Sequence, residues 1–446
     1  MNNLFIMDTQ NQKISNNDQR FPNSKNSIAP FNIEITSNST NKNNQENTKK
    51  ENLKKIFYIK IFISAIYFTF IICIEQLYRA SLFSKSITIQ EDIRKDHEKD
   101  SAFYNFWKFM SIFGEAKATF PIYGLIFVFF PLNSSFLTLQ TLIYSIYITN
   151  FFKIIYRNGR PYWESEILDV VCNSGYGNPS GHSVTSTAYY LTLPHIVTNF
   201  RFFKVGKKNI ILRISIFCLF IIFAFLIMIS RVMLAAHSIN QVFYGFSLGF
   251  GIYLVNIYML SYHTYPSEIF LQHIINKFVS LFYILFHIIL LIILIVVFAV
   301  IEDNKDLEYK CYNNIFNGIR CKIKDKYLML KHDGFFQALS LTSLLGAHLG
   351  IIVLIFTLKK LNYIINGFII EFNKSSIKKW LIRLPILLLS GIFLILNFCI
   401  PGDISLALIF IFKSALPFFL TTFGIYFLGI FICIHYNLSN ENIKLI

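Results

Sequence analysis

Lys153 and Arg160 stand seven residues apart in Lys153-Ile-Ile-Tyr-Arg-Asn-Gly-Arg160-Pro161. A second cluster reads Asn178-Pro179-Ser180-Gly181-His182-Ser183, and a third joins Arg231 to His237 and Gln241. An arginine offers a planar fork that matches phosphate oxygens, and a lysine adds a point charge. Helical spacing would put Lys153 and Arg160 on one face two turns apart, with Pro161 ending that helix just after Arg160. Pro179 and Gly181 punctuate a turn, and Ser180 or Ser183 can cap the helix that follows. A helix start is an anion site through its free N–H groups. Gly181 lets the backbone approach a phosphoryl oxygen and sets His182 beside it. Gln241 lies one helical turn after His237 and can orient its imidazole. Each cluster alone has a plainer reading: a cation reaching out of the membrane, an ordinary cap, a structural histidine. Together they suit phosphoryl transfer. Lys153, Arg160 and Arg231 would hold the three equatorial oxygens. One histidine would attack phosphorus and the other would protonate the departing oxygen. No cage of acids accompanies the clusters, so neither a metal nor another cofactor is expected.

The elements that must carry these residues are membrane helices. The 446-residue chain is 54% hydrophobic and 15% charged. Ile210–Ile229 and Phe278–Ile301 are apolar runs of a length that crosses a bilayer core of ~30 Å. This excludes a soluble globular enzyme, a disordered chain and a β-barrel, whose strands would alternate. The fold class expected is an all-α polytopic membrane protein with about ten transmembrane helices. They are expected near 56–78, 117–132, 134–156, 183–200, 210–230, 239–262, 274–301, 338–358, 381–400 and 404–435. Residues 1–54, rich in Asn, are expected to form a disordered tail. Residues 55–116 hold a first span and an interfacial segment, 117–262 the three clusters, and 263–446 C-terminal spans. The net charge of +16 is assigned to Lys and Arg at span ends, with no nucleic-acid partner.

This span count puts loops 157–182, 231–238 and 302–337 on one face, so all three clusters share it. Loops 201–209, 263–273 and 359–380 fall on the other, where a Lys and Arg excess argues for the cytosol. Cys311 and Cys321 share a first-face loop and could pair in an oxidising compartment. The clusters are therefore expected to face a lumen.

In order and spacing, the three clusters resemble the type-2 phosphatidic acid phosphatase superfamily, whose pattern is Lys-x6-Arg-Pro, Pro-Ser-Gly-His and Ser-Arg-x5-His-x3-Asp. The third block here ends in Gln241 instead of Asp. Within that superfamily, Arg160-Pro-Tyr-Trp163, the block Ser230–His237 with Gln241, Lys379–Leu384 and Phe412–Pro417 are most similar to the glucose-6-phosphatase family. The resemblance implies a six-helix phosphatase core and a metal-independent phosphomonoester hydrolase in the endoplasmic reticulum membrane. By it, His237 is the nucleophile that forms a phosphohistidine and His182 is the acid. Lys153, Arg160, Ser180, Gly181 and Arg231 bind phosphate, and glucose 6-phosphate is the substrate. A span ahead of the usual pair and a short Arg160–Pro179 connection point instead toward lipid phosphates or polyprenyl pyrophosphates. A catalytically silent scaffold or transporter is the third alternative. Membrane lipids are the other expected partners; no protein partner is implied.

Overall fold

The computed structural model describes residues 38–97, 101–130, 132–168, 175–199, 210–263, 274, 276–302, 330–361 and 410–436, with isolated positions from 382 to 408. The chain divides into two units, Met1–Tyr58 and Ile59–Ile446. Of the first, residues 38–58 are described and helical; residues 1–37 of the expected tail lie outside the described residues. No strand occurs among the described residues.

The first helix, α1, runs from Asn38 to Asp96. That sequence contains neither glycine nor proline, so nothing in it breaks a helix. The expected span 56–78 is therefore one part of a much longer element. α2 (Ala102–Ile112) begins at Ser101, whose hydroxyl caps the Tyr104 amide. It is followed after Gly114 by α3 (Ala116–Phe129), with a bend of 43° between Ala102–Ile112 and Lys117–Phe129. α4 covers Leu132–Tyr156 and a short α5 covers Pro161–Glu164. α6 (Gly181–Asn199), α7 (Ile210–Met233) and α8 (Ile239–His263) complete the part that carries the three clusters. Beyond it lie α9 (Lys277–Val300), α10 (Leu330–Ala338), α11 (Thr342–Lys360) and α12 (Ile411–His435, with two π turns).

Five described segments are long and apolar enough to cross a membrane: Phe62–Asp96, Ile210–Met233, Lys277–Val300, His332–Leu358 and Ile411–His435. The bent pair α2–α3 would add a sixth. The sequence reading expects about ten. Helices do stand at the expected places of α3, α4, α6 and α8; α3 by itself is short, with 14 residues, and α4 and α6 are less apolar because of what they pack against. α4 buries Thr138, Gln140, Thr141, Ser145, Thr149 and Asn150, and α6 buries Ser183, Thr185, Ser186, Thr187 and Thr192. These two helices are lined by protein rather than lipid, so their hydroxyls find backbone acceptors such as Leu137 O and Ala188 O. α9 is the opposite case: Phe278, Phe282 and Val300 are largely exposed on it, as befits a lipid-facing helix. The expected span at 381–400, Cys311, Cys321 and the second-face loops lie mostly or wholly outside the described residues.

Three described histidines outside the clusters, His195, His287 and His348, are held by neighbouring side chains. His287 Nε2 meets Tyr144 Oη at 2.9 Å, and His348 Nε2 meets Ser280 Oγ at 2.9 Å. His195 Nε2 meets Tyr253 Oη at 3.0 Å.

Candidate active site

Lys153 sits in the last turn of α4, 9% exposed, four residues after the buried Thr149 and on its face. The helix does not continue to Arg160. It stops at Tyr156, because Arg157 takes a left-handed conformation with φ 47°. Residues 157–160 run on outside any helix, and Arg160 is the extended N-cap residue of α5, with Pro161 at the first position. The shared helix face expected for Lys153 and Arg160 is thus corrected. The two charges meet because the chain turns back, and the break lets the guanidinium reach across to the third cluster.

There Arg160 is fastened on three sides. Its Nε donates to Gly175 O at 2.8 Å. Its Nη1 donates to Ala236 O at 3.2 Å and faces His237 Nε2 at 3.2 Å. Arg231 lies near the end of α7, and its carbonyl accepts the amides of Ala236 and His237. This closes the helix into a tight turn in which Ala235 has φ 51°. His237 projects from that turn, 2% exposed.

The tautomer of His237 follows from its partners. Nδ1 lies 2.8 Å from Gly177 O and 3.2 Å from Gln241 Oε1, both acceptors. The orientation of the Gln241 amide is itself fixed, since its Nε2 donates to Gly159 O at 2.7 Å and its Oε1 accepts the Ser238 amide at 3.3 Å. Nδ1 therefore carries the hydrogen and Nε2 keeps its lone pair, pointed at Arg160. Burial, and then the charges of Arg160, Arg231 and Lys153, hold this imidazole well below the usual histidine range. It is neutral at pH 7. Gln241 also accepts the Ser180 amide on its backbone carbonyl at 3.0 Å, so this one residue ties the three clusters together.

Gly177 has to be glycine. A Cβ there would stand 2.4 Å from Gly159 O and 2.6 Å from Gln241 Nε2. The same close fit places the second cluster. On α8, a Cβ at Gly245 would lie 2.7 Å from Ser180 O, and one at Gly249 2.5 Å from Val184 O. α8 can therefore lie directly against the start of α6, with Val184, Ala188, Tyr244, Leu248 and Ile252 forming the seam. The first helical hydrogen bond of α6 runs from Val184 N to Ser180 O. The amides of Gly181, His182 and Ser183 precede it and have no helical acceptor. Gly114, between α2 and α3, covers the His182 ring so closely that a Cβ would sit 2.6 Å from its Cδ2.

The charges converge. Arg160, Arg231 and Lys153 all act on His182 and on His237, and His182 acts on His237 as well. Asp333 of α10 acts on Lys153, and Glu115 acts on Arg231. Five buried polar atoms around them have no hydrogen-bond partner among the described residues: Ser180 Oγ, Ser183 Oγ, Thr149 Oγ1, His182 Nε2 and Arg231 Nε. An unsatisfied buried group costs about 1–3 kcal/mol. Five together around three cations are an arrangement that an oxyanion could satisfy. Among the described residues, no group of three His, Cys, Asp or Glu could hold a metal ion.

Every predicted site residue belongs to this constellation. Sequence reasoning missed Thr149, Ser111 and Gly114. Thr149 was findable, one turn before Lys153 on the same helix. Ser111 accepts a hydrogen bond from Arg231 Nη1. It sits in an aromatic stretch that carries no spacing signal.

Comparison with known proteins points to the same stretch of chain. Mouse (Mus musculus) glucose-6-phosphatase 2 is similar to the chain, 27% identical over 179 residues, which is 35% of this chain and 47% of that protein. The chain thus spans about half the length of that relative. No solved structure matches. The family model described as PAP2 superfamily matches residues 135–265, a stretch that begins at the foot of α4 and contains all three clusters, and the chain therefore carries a PAP2 superfamily domain.

Proposed function

We propose that the protein is a metal-independent membrane phosphatase that hydrolyses a phosphomonoester through a phosphohistidine on His237. The observation that carries this reading is the fixed tautomer, with Nδ1 bound to Gly177 O and Nε2 directed at Arg160. The substrate's three non-bridging oxygens would replace the partners missing from Arg231 Nε, Ser180 Oγ, Ser183 Oγ and the α6 amides. Nε2 of His237 attacks phosphorus in line, and the bond from phosphorus to the ester oxygen breaks. His182, which takes up a proton once the phosphate dianion is bound beside it and offsets the neighbouring cations, gives that proton to the ester oxygen, and the alcohol leaves. Water then attacks the phosphohistidine, His182 takes its proton, and the P–N bond breaks to release phosphate. Each histidine ends as it began. Lys153, Arg160 and Arg231 offset the transition-state charge in both halves.

Glucose 6-phosphate is the substrate favoured by the Arg160–Trp163 and Ser230–Gln241 blocks and by the similarity to a glucose-6-phosphatase. The charge pattern of the loops and the same similarity support an endoplasmic reticulum membrane with the site facing the lumen. A lipid phosphate is the second reading. It is favoured by an apolar groove between α6, α7 and α8, lined by Thr187, Leu191, Ile221, Ala224, Phe225 and Met228. Met228 lies one helical turn from Arg231, so an acyl chain in the groove would end beside the phosphate site. Purified protein assayed against glucose 6-phosphate and phosphatidate, with a chelator present, decides between them. His237→Ala is expected to abolish phosphate release. Turnover by that variant overturns the nucleophile assignment, and turnover lost with the chelator overturns metal independence.

A further inference from the structure

The segment Phe62–Asp96 of α1 has 35 residues. At 1.5 Å per residue it is roughly 50 Å long, against a bilayer core of ~30 Å. Its last turns therefore stand clear of the hydrocarbon, where Lys85, Glu91, Asp92, Arg94 and Lys95 are found. One stripe of this helix is polar and buried. Glu75 and Ser86 are 0% exposed and Gln90 2%. With Arg79 they follow at steps of four, seven and four, which keeps them on one face.

Each of the three touches a loop of the site. Gln90 Nε2 donates to His237 O at 2.8 Å and to Val232 O at 3.0 Å. Ser86 Oγ accepts the Ile239 amide at 2.9 Å. Glu75 Oε1 accepts Asn178 Nδ2 at 2.7 Å, one residue before Pro179, and the same carboxylate is paired with Arg79. Arg79 lies over the Tyr156 ring at 4.2 Å, at the end of α4. A single helix thus holds the loop bearing His237 from one end and the turn leading into His182 from the other.

We infer that α1 is part of the catalytic apparatus, with Gln90, Ser86 and Glu75 as positioning residues that set the separation of the loop bearing His237 from the turn leading into His182. The inference rests on the phosphatase reading. An attack in line tolerates little displacement: a shift of about 1 Å can cost a hundredfold in rate. These contacts are made to loop backbone and to Asn178, away from the phosphate pocket. Their loss is therefore expected in kcat rather than in KM.

The test uses the full chain in detergent, with para-nitrophenyl phosphate as probe and trapping of phosphoenzyme. Gln90→Met keeps the length of the side chain and removes both donors. Its kcat is expected to fall roughly ten- to a hundredfold, with KM within about threefold and phosphoenzyme formation slowed in parallel. Ser86→Ala, a smaller change, is expected to act in the same direction and decides the matter should Gln90→Met not fold. Unchanged kcat per folded molecule in an active background overturns the role of α1 alone. A rise in KM at constant kcat also overturns it. A wild-type protein that forms no phosphoenzyme and releases no phosphate from the probe, glucose 6-phosphate or phosphatidate overturns the phosphatase reading, and this inference with it.

Discussion

At the residue scale, the central fact is a neutral imidazole kept among cations. An unfolded histidine titrates near 6.5, and burial with three neighbouring cations puts folded His237 well below that. Below pH 6.5 the unfolded chain takes up a proton that the folded chain refuses. Stability therefore rises with pH, and His237's contribution is lost as pH falls through 6.5 toward the folded value. The melting temperature in detergent is expected to fall between pH 7.5 and 5.5, and His237→Asn, which cannot titrate, should have a flatter profile. An unchanged slope would show that His237 is not held neutral. Gln241 presents a finer case. It stands where the resembling pattern has an acid, yet the shorter bond to Nδ1 comes from Gly177 O at 2.8 Å, against 3.2 Å for Gln241 Oε1. Gln241→Ala removes one of the two hydrogen bonds to Nδ1, worth about 1 kcal/mol, and leaves the other. A drop in kcat of roughly fivefold is expected, far less than for His237→Ala. Loss as complete as that of the nucleophile variant would mean that Gln241 alone fixes the tautomer.

At the element scale, the site depends on how closely α8 approaches α6. Gly245 and Gly249 are packing positions, where a Cβ would collide with the neighbouring helix. The sequence does not say what they pack against, because a small residue marks a close contact without naming the partner. The partners are the backbone of Ser180 and Val184, at the turn proposed to bind phosphate. A methyl at Gly249 would meet a carbonyl oxygen at 2.5 Å, and backbone cannot swing aside as a side chain can. Gly249→Ala is expected to destabilise the protein by about 1–3 kcal/mol and to weaken activity by moving the start of α6. Gly124 on α3 is the contrast, since nothing lies within 4 Å of its Cβ position. There alanine has room and a better helix propensity, and Gly124→Ala should stabilise by up to about 1 kcal/mol. Paired melting curves and phosphate-release assays check both signs. Equal effects from the two substitutions would refute the contact argument. Lys153 and Arg160 carry a related lesson. Their spacing of seven looks helical, but the chain breaks at Arg157, and a left-handed φ on a non-glycine residue has no reliable mark in sequence.

At the scale of the whole molecule, the membrane character, the order of the three clusters and their shared face were legible because long apolar runs and charged motifs are local signals. Two features were hidden because they are relational. The spans that line the site are too polar to stand out, since α4 and α6 bury hydroxyls against protein. The reach of α1 past the bilayer shows only once its partners are known. The shared face has a direct consequence. Glu164, exposed on α5, must lie on the same side of the membrane as the site, and Ile210, exposed at the start of α7, on the other, because α7 crosses between Ile210 and Arg231. In a chain with its seven native cysteines replaced, Glu164→Cys and Ile210→Cys are expected to react with an impermeant maleimide from opposite sides of sealed vesicles. In vesicles from endoplasmic reticulum, Glu164→Cys should be protected until the membrane is opened and Ile210→Cys should react at once. Labelling of both from one side would break the topology on which the three clusters meet. The reverse pattern would keep the site intact but turn it toward the cytosol, where a substrate would need no passage across the membrane.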